Sequence, residues 1–354
     1  MTAVHVVLPD GIDDPARPSG GNVYDRRVCR GLTSLGWWVH EHAVPVSWPE
    51  PDAASHAALA RVVQRIPDGS VVLLDGLVAS AAPEVLVPAA SRLRLVVLVH
   101  MPLGHLPPEG AGDARSLEHA MLSSAAAVVA TSSWARGRLL ELYALPAERV
   151  HVAEPAVDAV GLAAGSVDGA ALLCVGAVIA GKGHDVLLEA LAAVDDLPWS
   201  CVCVGSLERE PAFVESLRAR ALAAGLGDRV QLAGPRSGAE LDDCYGAADL
   251  LVLASRSESY GMVVIEALAR GLPVIASDVG GLPEALGHGA DGSRPGLLVP
   301  PGDPEALAAA LRAWLLDAEL RERLRRGARE RRESLFGWST TTSALADVLA
   351  GASR

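Results

Sequence analysis

Short apolar runs that alternate with helical patterns constrain the fold of this chain more than any other feature. In the second half, the runs ALLCVG (171–176), SCVCVGS (200–206), DLLVLAS (249–255) and LPVIAS (272–277) have the length and apolar content of buried strands. Ala- and Leu-rich stretches of helical length separate consecutive strands. Buried strands joined through helices by short connections form parallel sheets with helices on both faces. The pattern therefore predicts an α/β fold.

The same alternation begins twice. In the first half, strand-like runs at 3–8, 71–76, 93–100 and 126–132 occur with a helical pattern at 22–36. The alternation restarts after a small, Gly-rich stretch at 161–169, which we interpret as a linker. We predict two Rossmann-like, doubly wound domains that face each other across a cleft, with boundaries at 1–161 and 162–336. Because ligands bind beyond the carboxyl ends of parallel strands, residues that follow a strand are candidates for the site.

Composition argues against several classes of protein. The chain carries 43 acidic and 30 basic side chains, a net charge of −13, whereas a nucleic-acid surface needs clustered basic residues. No apolar run reaches the ~18 residues of a membrane helix. The N-terminal residues show no basic region before an apolar run, so we expect no signal peptide and no membrane insertion. Five scattered cysteines without a Cys-x-x-Cys pair fit a reducing compartment, so we expect a cytoplasmic protein of unknown oligomeric state.

Lys182 is the only lysine of the chain, and every other basic residue among the 30 is an arginine. It lies in the loop GAVIAGKG (176–183), after a strand and before a helix predicted to begin near Gly183. A cation beside the N–H groups of a helix N-terminus is suited to phosphate. The loop lacks the Ser or Thr that follows the lysine of a Walker A motif. A solvent-exposed surface lysine is the alternative.

Two carboxylates mark the stretch that follows DLLVLAS. Glu258 lies in the loop, and Glu266 lies about one turn inside a helix that Gly261 and Met262 open. Gly261 lets the backbone approach a ligand, and the amides of the loop and first turn can donate to hydroxyls or phosphate. Two acids at one loop–helix corner suit a polyol. The alternative is a loop charge at Glu258 and a helix-stabilising acid at Glu266.

The segment ESYGMVVIEALARGLPVIASDVGGLPE (258–284) resembles the E-x7-E signature of the family 4 glycosyltransferases. Similarity to this family extends to SGGNVYDRRVCRGLTSLGWWV (19–39), to the strand ending at His100, to GAVIAGKGHDVLLEAL (176–191) and to GLLVPPGDPEALAAAL (296–311). Members are retaining, nucleotide-sugar-dependent enzymes of the GT-B fold. The resemblance implies an N-terminal acceptor-binding domain, a C-terminal nucleotide-sugar-binding domain and a C-terminal helix at 337–354 that crosses back to the first.

The resemblance also implies roles for individual residues. Lys182 would neutralise the diphosphate of the leaving nucleotide, and Glu258 would meet the hydroxyls of the donor sugar. Glu266 would bind the ribose. His100 would contact the sugar near its C6 hydroxyl, although a capped strand-end histidine is the alternative.

The remaining implied contacts come from two backbone segments. Gly20 and Gly21 would face the diphosphate, and Asn22 would contact a substrate or cap the helix. Backbone amides would hold the donor sugar in a loop made of Ser259, Tyr260, Gly261 and Met262.

One position departs from the family pattern. The family has Arg after the glycine of the phosphate loop, whereas this chain has Gly176-Ala177. Arg236 and Arg256 both follow strands and are candidates to replace that cation, and we assign Arg236. Because the chain contains no Asp-x-Asp, we expect no metal site. We also expect no cofactor, with the nucleotide-diphosphate sugar as co-substrate.

These features predict a retaining hexosyltransferase that acts on a nucleotide-diphosphate sugar and a small polar acceptor. The acceptor pocket would include the loops 10–18 and 100–115. A GT-B nucleotide-sugar 2-epimerase is one alternative, and a catalytically silent nucleotide-sugar-binding subunit is another. A phosphorylase is disfavoured, because it needs a lysine for pyridoxal phosphate and the loop of Lys182 does not suit that role.

Overall fold

The computed structural model describes residues 2–14, 18–45, 48, 50–105 and 113–353. These residues divide into two compact units. The first contains Met1–Asp14, Ser19–Pro155 and Trp338–Arg354, and the second is built mainly from Ala156–Gly337. The predicted loops at 10–18 and 100–115 lie in part outside the described residues, at 15–17 and 106–112.

The first unit is built on one six-stranded sheet. Its strands are β1 (Ala3–Pro9), β2 (Trp38–Val44), β3 (Val71–Asp75), β4 (Arg94–Val99), β5 (Ala127–Ala130) and β6 (Val150–Val152). All neighbouring strands are parallel, in the order β2-β1-β3-β4-β5-β6. Its helices up to residue 143 are α1 (Gly20–Ser34), α2 (Ala53–Arg65), α3 (Gly76–Ala81), α4 (Pro83–Ala89), α5 (Ala114–Ser124) and α6 (Ser133–Tyr143).

The second unit repeats this plan. Its strands are β7 (Ala171–Val175), β8 (Ser200–Val204), β9 (Val230–Gly234), β10 (Leu250–Leu253), β11 (Val274–Ser277) and β12 (Gly296–Val299). They are parallel, in the order β12-β11-β10-β7-β8-β9. Its helices are α7 (His184–Ala192), α8 (Pro211–Ala223), α9 (Ala239–Ala247), α10 (Met262–Ala269), α11 (Leu282–Leu286), α12 (Pro304–Leu316) and α13 (Ala318–Glu333).

The central strands are apolar because helices cover both faces of each sheet. Every residue of β3, β5, β10 and β11 is buried. The α/β class and the two doubly wound sheets are therefore as predicted. Among the described residues, no helix is long and apolar enough to cross a membrane.

The last helix, α14 (Trp338–Ala352), belongs to the first unit. Its Trp338 ring contacts Tyr24 of α1 edge to face, with 5.7 Å between centroids. The Thr341 hydroxyl donates to the carbonyl oxygen of Glu154 over 2.6 Å. These contacts attach the C-terminal helix to α1 and to the segment that follows β6.

The segment 161–169 is not a free linker, because it is bonded to the second unit. The amide of Ala163 donates to the carbonyl oxygen of Arg270, and the amide of Gly165 donates to that of Gly246. The buried Asp249 accepts from the backbone and hydroxyl of Ser166. The units divide between Pro155 and Ala156, earlier than the boundary at 161 that the glycines suggested.

Candidate functional site

Lys182 lies at the end of a short 3₁₀ turn, Ala180–Lys182, that follows β7 and precedes α7. Arg256 holds this turn: it donates to the carbonyl oxygen of Ala180 over 2.6 Å and forms two bonds of 2.8 Å with the Asp185 carboxylate. The amide of Arg256 also donates to Gly181. The hydrogen bond and charge of Arg256 lower the pKa of Asp185. Arg256 therefore positions the lysine turn.

The ammonium of Lys182 lies against the carboxylate of Glu258. Nζ donates to Oε1 over 2.6 Å and to Oε2 over 2.7 Å. Neither side chain is fully buried, with 29% of Lys182 and 14% of Glu258 exposed. The structure thus brings together the only lysine and the first acid of the E-x7-E segment. Such a pair can separate when a ligand offers a second anion to the lysine.

Close backbone packing fixes the loop that carries Glu258. The amide of Gly281 donates to the carbonyl oxygen of Glu258 over 3.0 Å. Gly280 has a φ of 60°, and a Cβ at that position would lie 1.7 Å from the same oxygen. Only glycine satisfies both conditions. The glycine pair of SDVGGLP therefore holds the acid loop in place from the C-terminal end of β11.

The second acid, Glu266, lies in α10 after Gly261, which has a φ of 96° and precedes the first helical residue, Met262. The fully buried Tyr245 hydroxyl donates to Oε2 of Glu266 over 2.8 Å. Arg270 lies over the Tyr245 ring and donates to the backbone carbonyl of Glu266. Burial raises the pKa of Glu266. The hydrogen bond from Tyr245 thus orients the Glu266 carboxylate, and the residue is half-buried.

Arg236 and Arg256 were the two candidates to replace the cation that the family has at the position of Ala177. Arg256 already binds Asp185 and the turn that carries Lys182. Arg236 is exposed and contacts Glu240 at 3.6 Å. It follows β9, which lies two strands from β7 in the sheet.

A second candidate region lies in the first unit, where α1 begins beside the end of β4. A Cβ on Gly21 would lie 3.3 Å from the His100 ring, so this glycine permits the helix to approach the imidazole. Ser19 is the helix cap, because its side chain accepts from the amide of Asn22 over 3.1 Å. The alternative that Asn22 is the cap is therefore wrong. Gly20 is the first residue of α1.

Two acids that the sequence analysis did not single out lie behind His100. Asp25 Oδ1 is 2.8 Å from Nε2 of His100, and Asp75 Oδ2 is 3.9 Å from it. Both carboxylates are buried. Asp75 ends a buried strand, so the strand-end criterion selects it, whereas Asp25 lies one turn inside α1 and carries no such signal. A capped strand-end histidine is thus too simple a description of His100.

Two groups of described residues have the composition of a metal site: Asp25, Asp75 and His100 of the first unit, and three residues of the second unit. Cys174, His184 and Cys203 are buried in the second core, and Sγ of Cys174 lies 3.7 Å from Nε2 of His184. The hydrogen bond that the Cys174 thiol donates to Cys203, together with burial, raises the pKa of Cys174 well above its usual value, so the thiol form is favoured. The expectation of no metal site stays a prediction.

The comparisons with known proteins agree with this arrangement. Residues 166–331 match the family described as glycosyl transferases group 1. This domain belongs to the group 1 glycosyltransferases. The resemblance to family 4 that the sequence suggested is thereby confirmed, and the matched range contains Lys182, Glu258 and Glu266.

Two curated relatives of this chain carry the same name. D-inositol 3-phosphate glycosyltransferase of Jonesia denitrificans is 36% identical over 256 residues, which cover 66% of this chain and 58% of that protein. The enzyme of the same name from Xylanimonas cellulosilytica is 35% identical over 269 residues, covering 70% and 62%. The match with each relative thus spans less than two thirds of that protein's length.

Solved structures establish the GT-B fold for the whole chain. Sucrose-phosphate synthase from Thermosynechococcus elongatus aligns with a TM-score of 0.81, 22% identity and 99% coverage of both chains. The Anabaena protein HepE in complex with UDP-glucose aligns with a TM-score of 0.79, 18% identity, 99% coverage of this chain and 100% of the other. The predicted GT-B fold is confirmed.

Proposed function

We propose that this protein is a retaining glycosyltransferase that moves a hexosyl group from a nucleotide-diphosphate sugar to a small polar acceptor. The bidentate contact of Lys182 with Glu258 carries the proposal, because it places a partly exposed cation beside the first acid of the E-x7-E segment. The group 1 family match of residues 166–331 supports the same activity.

Lys182 would stabilise the leaving group. As the bond between C1 of the sugar and the diphosphate oxygen breaks, negative charge develops on the diphosphate, and a fixed cation is most effective there. Arg236 would supply the second charge that Ala177 lacks. The acceptor oxygen would attack the same face of C1, and its proton would pass to a phosphate oxygen. In the proposed reaction these side chains would provide the positive charge, and neither a metal ion nor a cofactor would take part.

The E-x7-E segment would bind the rest of the donor. Glu258 would accept hydroxyl protons of the sugar after Lys182 turns to the diphosphate. Glu266, which Tyr245 orients, would accept from the ribose hydroxyls. Backbone amides of the segment 259–262 would donate to the sugar, because the first turn of a helix leaves N–H groups without intrahelical partners.

The first unit would contribute Gly20 and Gly21 near the diphosphate, with Asn22 and His100 toward the sugar or the acceptor. The names of the relatives make D-inositol 3-phosphate the first acceptor to test. UDP-glucose is a natural first donor because HepE, which shares the fold, was solved with it. All five cysteines are free, in keeping with the reducing environment of the cytoplasm.

A donor panel tests the proposal and separates it from its alternatives. Purified protein is incubated with UDP-glucose, UDP-N-acetylglucosamine or GDP-mannose, with and without inositol 3-phosphate, and products are resolved by mass spectrometry and chromatography. Release of nucleoside diphosphate together with a glycosylated acceptor is expected. A change in the UDP-N-acetylglucosamine peak at constant mass, without acceptor, indicates the 2-epimerase. Binding of a donor, measured by thermal shift, without turnover or slow hydrolysis indicates the silent subunit.

A further inference from the structure

Two buried carboxylates surround one ring nitrogen of His100. Nε2 lies 2.8 Å from Oδ1 of Asp25 and 3.9 Å from Oδ2 of Asp75. Asp25 and Asp75 are 3% and 4% exposed, whereas 21% of the His100 side chain is exposed. Asp75 is held in place because its Oδ1 also accepts from the amides of Leu77 and Val78 at the start of α3. The nitrogen that faces the acids is therefore the buried end of the ring.

The other ring nitrogen has no such partner. Across the described parts of the chain, no hydrogen bond to Nδ1 of His100 is formed, and Nδ1 is not among the buried unsatisfied atoms. Gly21 packs against the ring, and Tyr24 contacts it edge to face with 5.3 Å between centroids. These contacts fix the plane of the imidazole while the exposed fraction of the side chain stays open to solvent.

We propose that Asp25 is a positioning residue that keeps His100 doubly protonated, so that the imidazolium presents its Nδ1–H as a fixed donor to a hydroxyl or phosphate oxygen of the substrate. This inference rests on the proposed function for the identity of the substrate. It assigns His100 as a cationic hydrogen-bond donor and excludes it as the general base that would deprotonate the acceptor.

The charges around the His100 ring determine the direction in which its pKa is shifted. Burial alone would lower the pKa of His100, but the charge and hydrogen bond of Asp25, followed by the charge of Asp75, raise it above the usual value. Burial and the Asp25 charge raise the pKa of Asp75 to about 6. Tyr24 stays neutral, because burial raises the pKa of its hydroxyl, which donates to Ala153. These are the titratable groups that face the ring among the described residues.

The two roles of His100 predict opposite pH behaviour. A donor is active while the imidazolium persists, so activity falls as pH rises through the pKa of His100. A general base is active only after the proton leaves, so activity rises through the same pKa. Asp25→Asn removes the charge that sustains the imidazolium and lowers this pKa. If His100 is a donor, the loss of kcat/KM in Asp25→Asn is therefore greatest at high pH, where each unit by which the pKa of His100 falls lowers kcat/KM about tenfold. The loss becomes smaller toward pH 6.

The test combines titration of the ring with a pH–rate profile. Imidazole ¹⁵N and ¹³C signals of the ligand-free protein are followed by NMR in the wild type and in Asp25→Asn, with His100→Gln to assign the signal. His151 of β6 serves as an internal reference, because its pKa is lowered by burial and Arg136 and no carboxylate contributes to the shift. The expected result is a His100 pKa above 6.5 that falls in Asp25→Asn while that of His151 stays constant.

A wild-type His100 that is neutral below pH 6.5 would overturn the proposal, and this result needs neither a variant that folds nor a known substrate. An activity of Asp25→Asn that is preserved at high pH and altered at low pH would assign the base role and overturn it as well. If no donor is turned over but His100 titrates as expected, the result would contradict the proposed glycosyltransferase activity and would leave the proposed protonation state of His100 standing.

Discussion

Lys182→Met removes the only lysine ammonium of the sequence and keeps most of its apolar stem. If the lysine stabilises the departing diphosphate, its loss resembles the deletion of one oxyanion donor, which costs about 2.7–4 kcal/mol in the transition state. We expect kcat to fall by about 10²–10³ while KM for the donor changes less. The cost to folding is smaller, because a partly exposed ion pair such as Lys182–Glu258 contributes about 1 kcal/mol or less.

The assay is steady-state release of nucleoside diphosphate at saturating donor, with the thermal midpoint measured on the same samples. Lys182→Arg is the matched control, since it keeps the charge but replaces a compact ammonium with a planar fork, and we expect partial recovery of kcat. A Lys182→Met enzyme with near-normal kcat would refute the assignment. A large drop in the thermal midpoint would show that the ion pair acts mainly in folding.

Three further changes probe the rest of the site. Glu266→Ala should weaken the binding of free nucleoside diphosphate, whereas Glu258→Ala should leave that binding unchanged and weaken the binding of the intact donor. Calorimetry should show a loss of about 1.5–3 kcal/mol for each charged hydrogen bond that is removed. Equal losses of both ligands in both variants would contradict this division of roles. Ala177→Arg should tighten nucleotide binding if the cationic clamp is incomplete, and unchanged or weaker binding would mean that another arginine already completes it. Gly280→Ala should destabilise the second unit by about 1–3 kcal/mol or more, because it combines a positive φ with a Cβ 1.7 Å from the Glu258 carbonyl oxygen. Gly292→Ala is the control that carries only the backbone strain, because Gly292 has a φ of 79° and a Cβ there would meet no atom within 4 Å.

The buried strands were predictable because both of their faces are covered, which leaves a continuous apolar run in the sequence. Strand β2 was not predicted, since it lies at the edge of its sheet and the segment WVHEHAV is mostly exposed, with three consecutive polar residues at its centre. The segment 161–169 was misread because its glycines and alanines are typical of linkers. Its attachment depends on Asp249 and Arg270, which are distant in sequence and give no local signal.

The residues of the site could likewise be predicted from the sequence only in part. Because strand ends gather at one edge of a parallel sheet, Lys182 and Glu258 could be expected together, and the structure places them in contact. The partners that orient the site residues depend on packing between elements. Tyr245, which contacts Glu266, and Asp25, which contacts His100, each come from a helix and were not singled out by the sequence analysis.

The measurement that tests the central claim most directly is proton NMR of the transfer product. With an α-linked donor that the panel selects, the anomeric signal of the product reports whether C1 keeps its configuration. We predict an α-linked product that accumulates in step with release of nucleoside diphosphate and that is lost in Lys182→Met. A β-linked product, or no glycosylated acceptor from folded protein that binds the donor, would contradict a retaining glycosyltransferase.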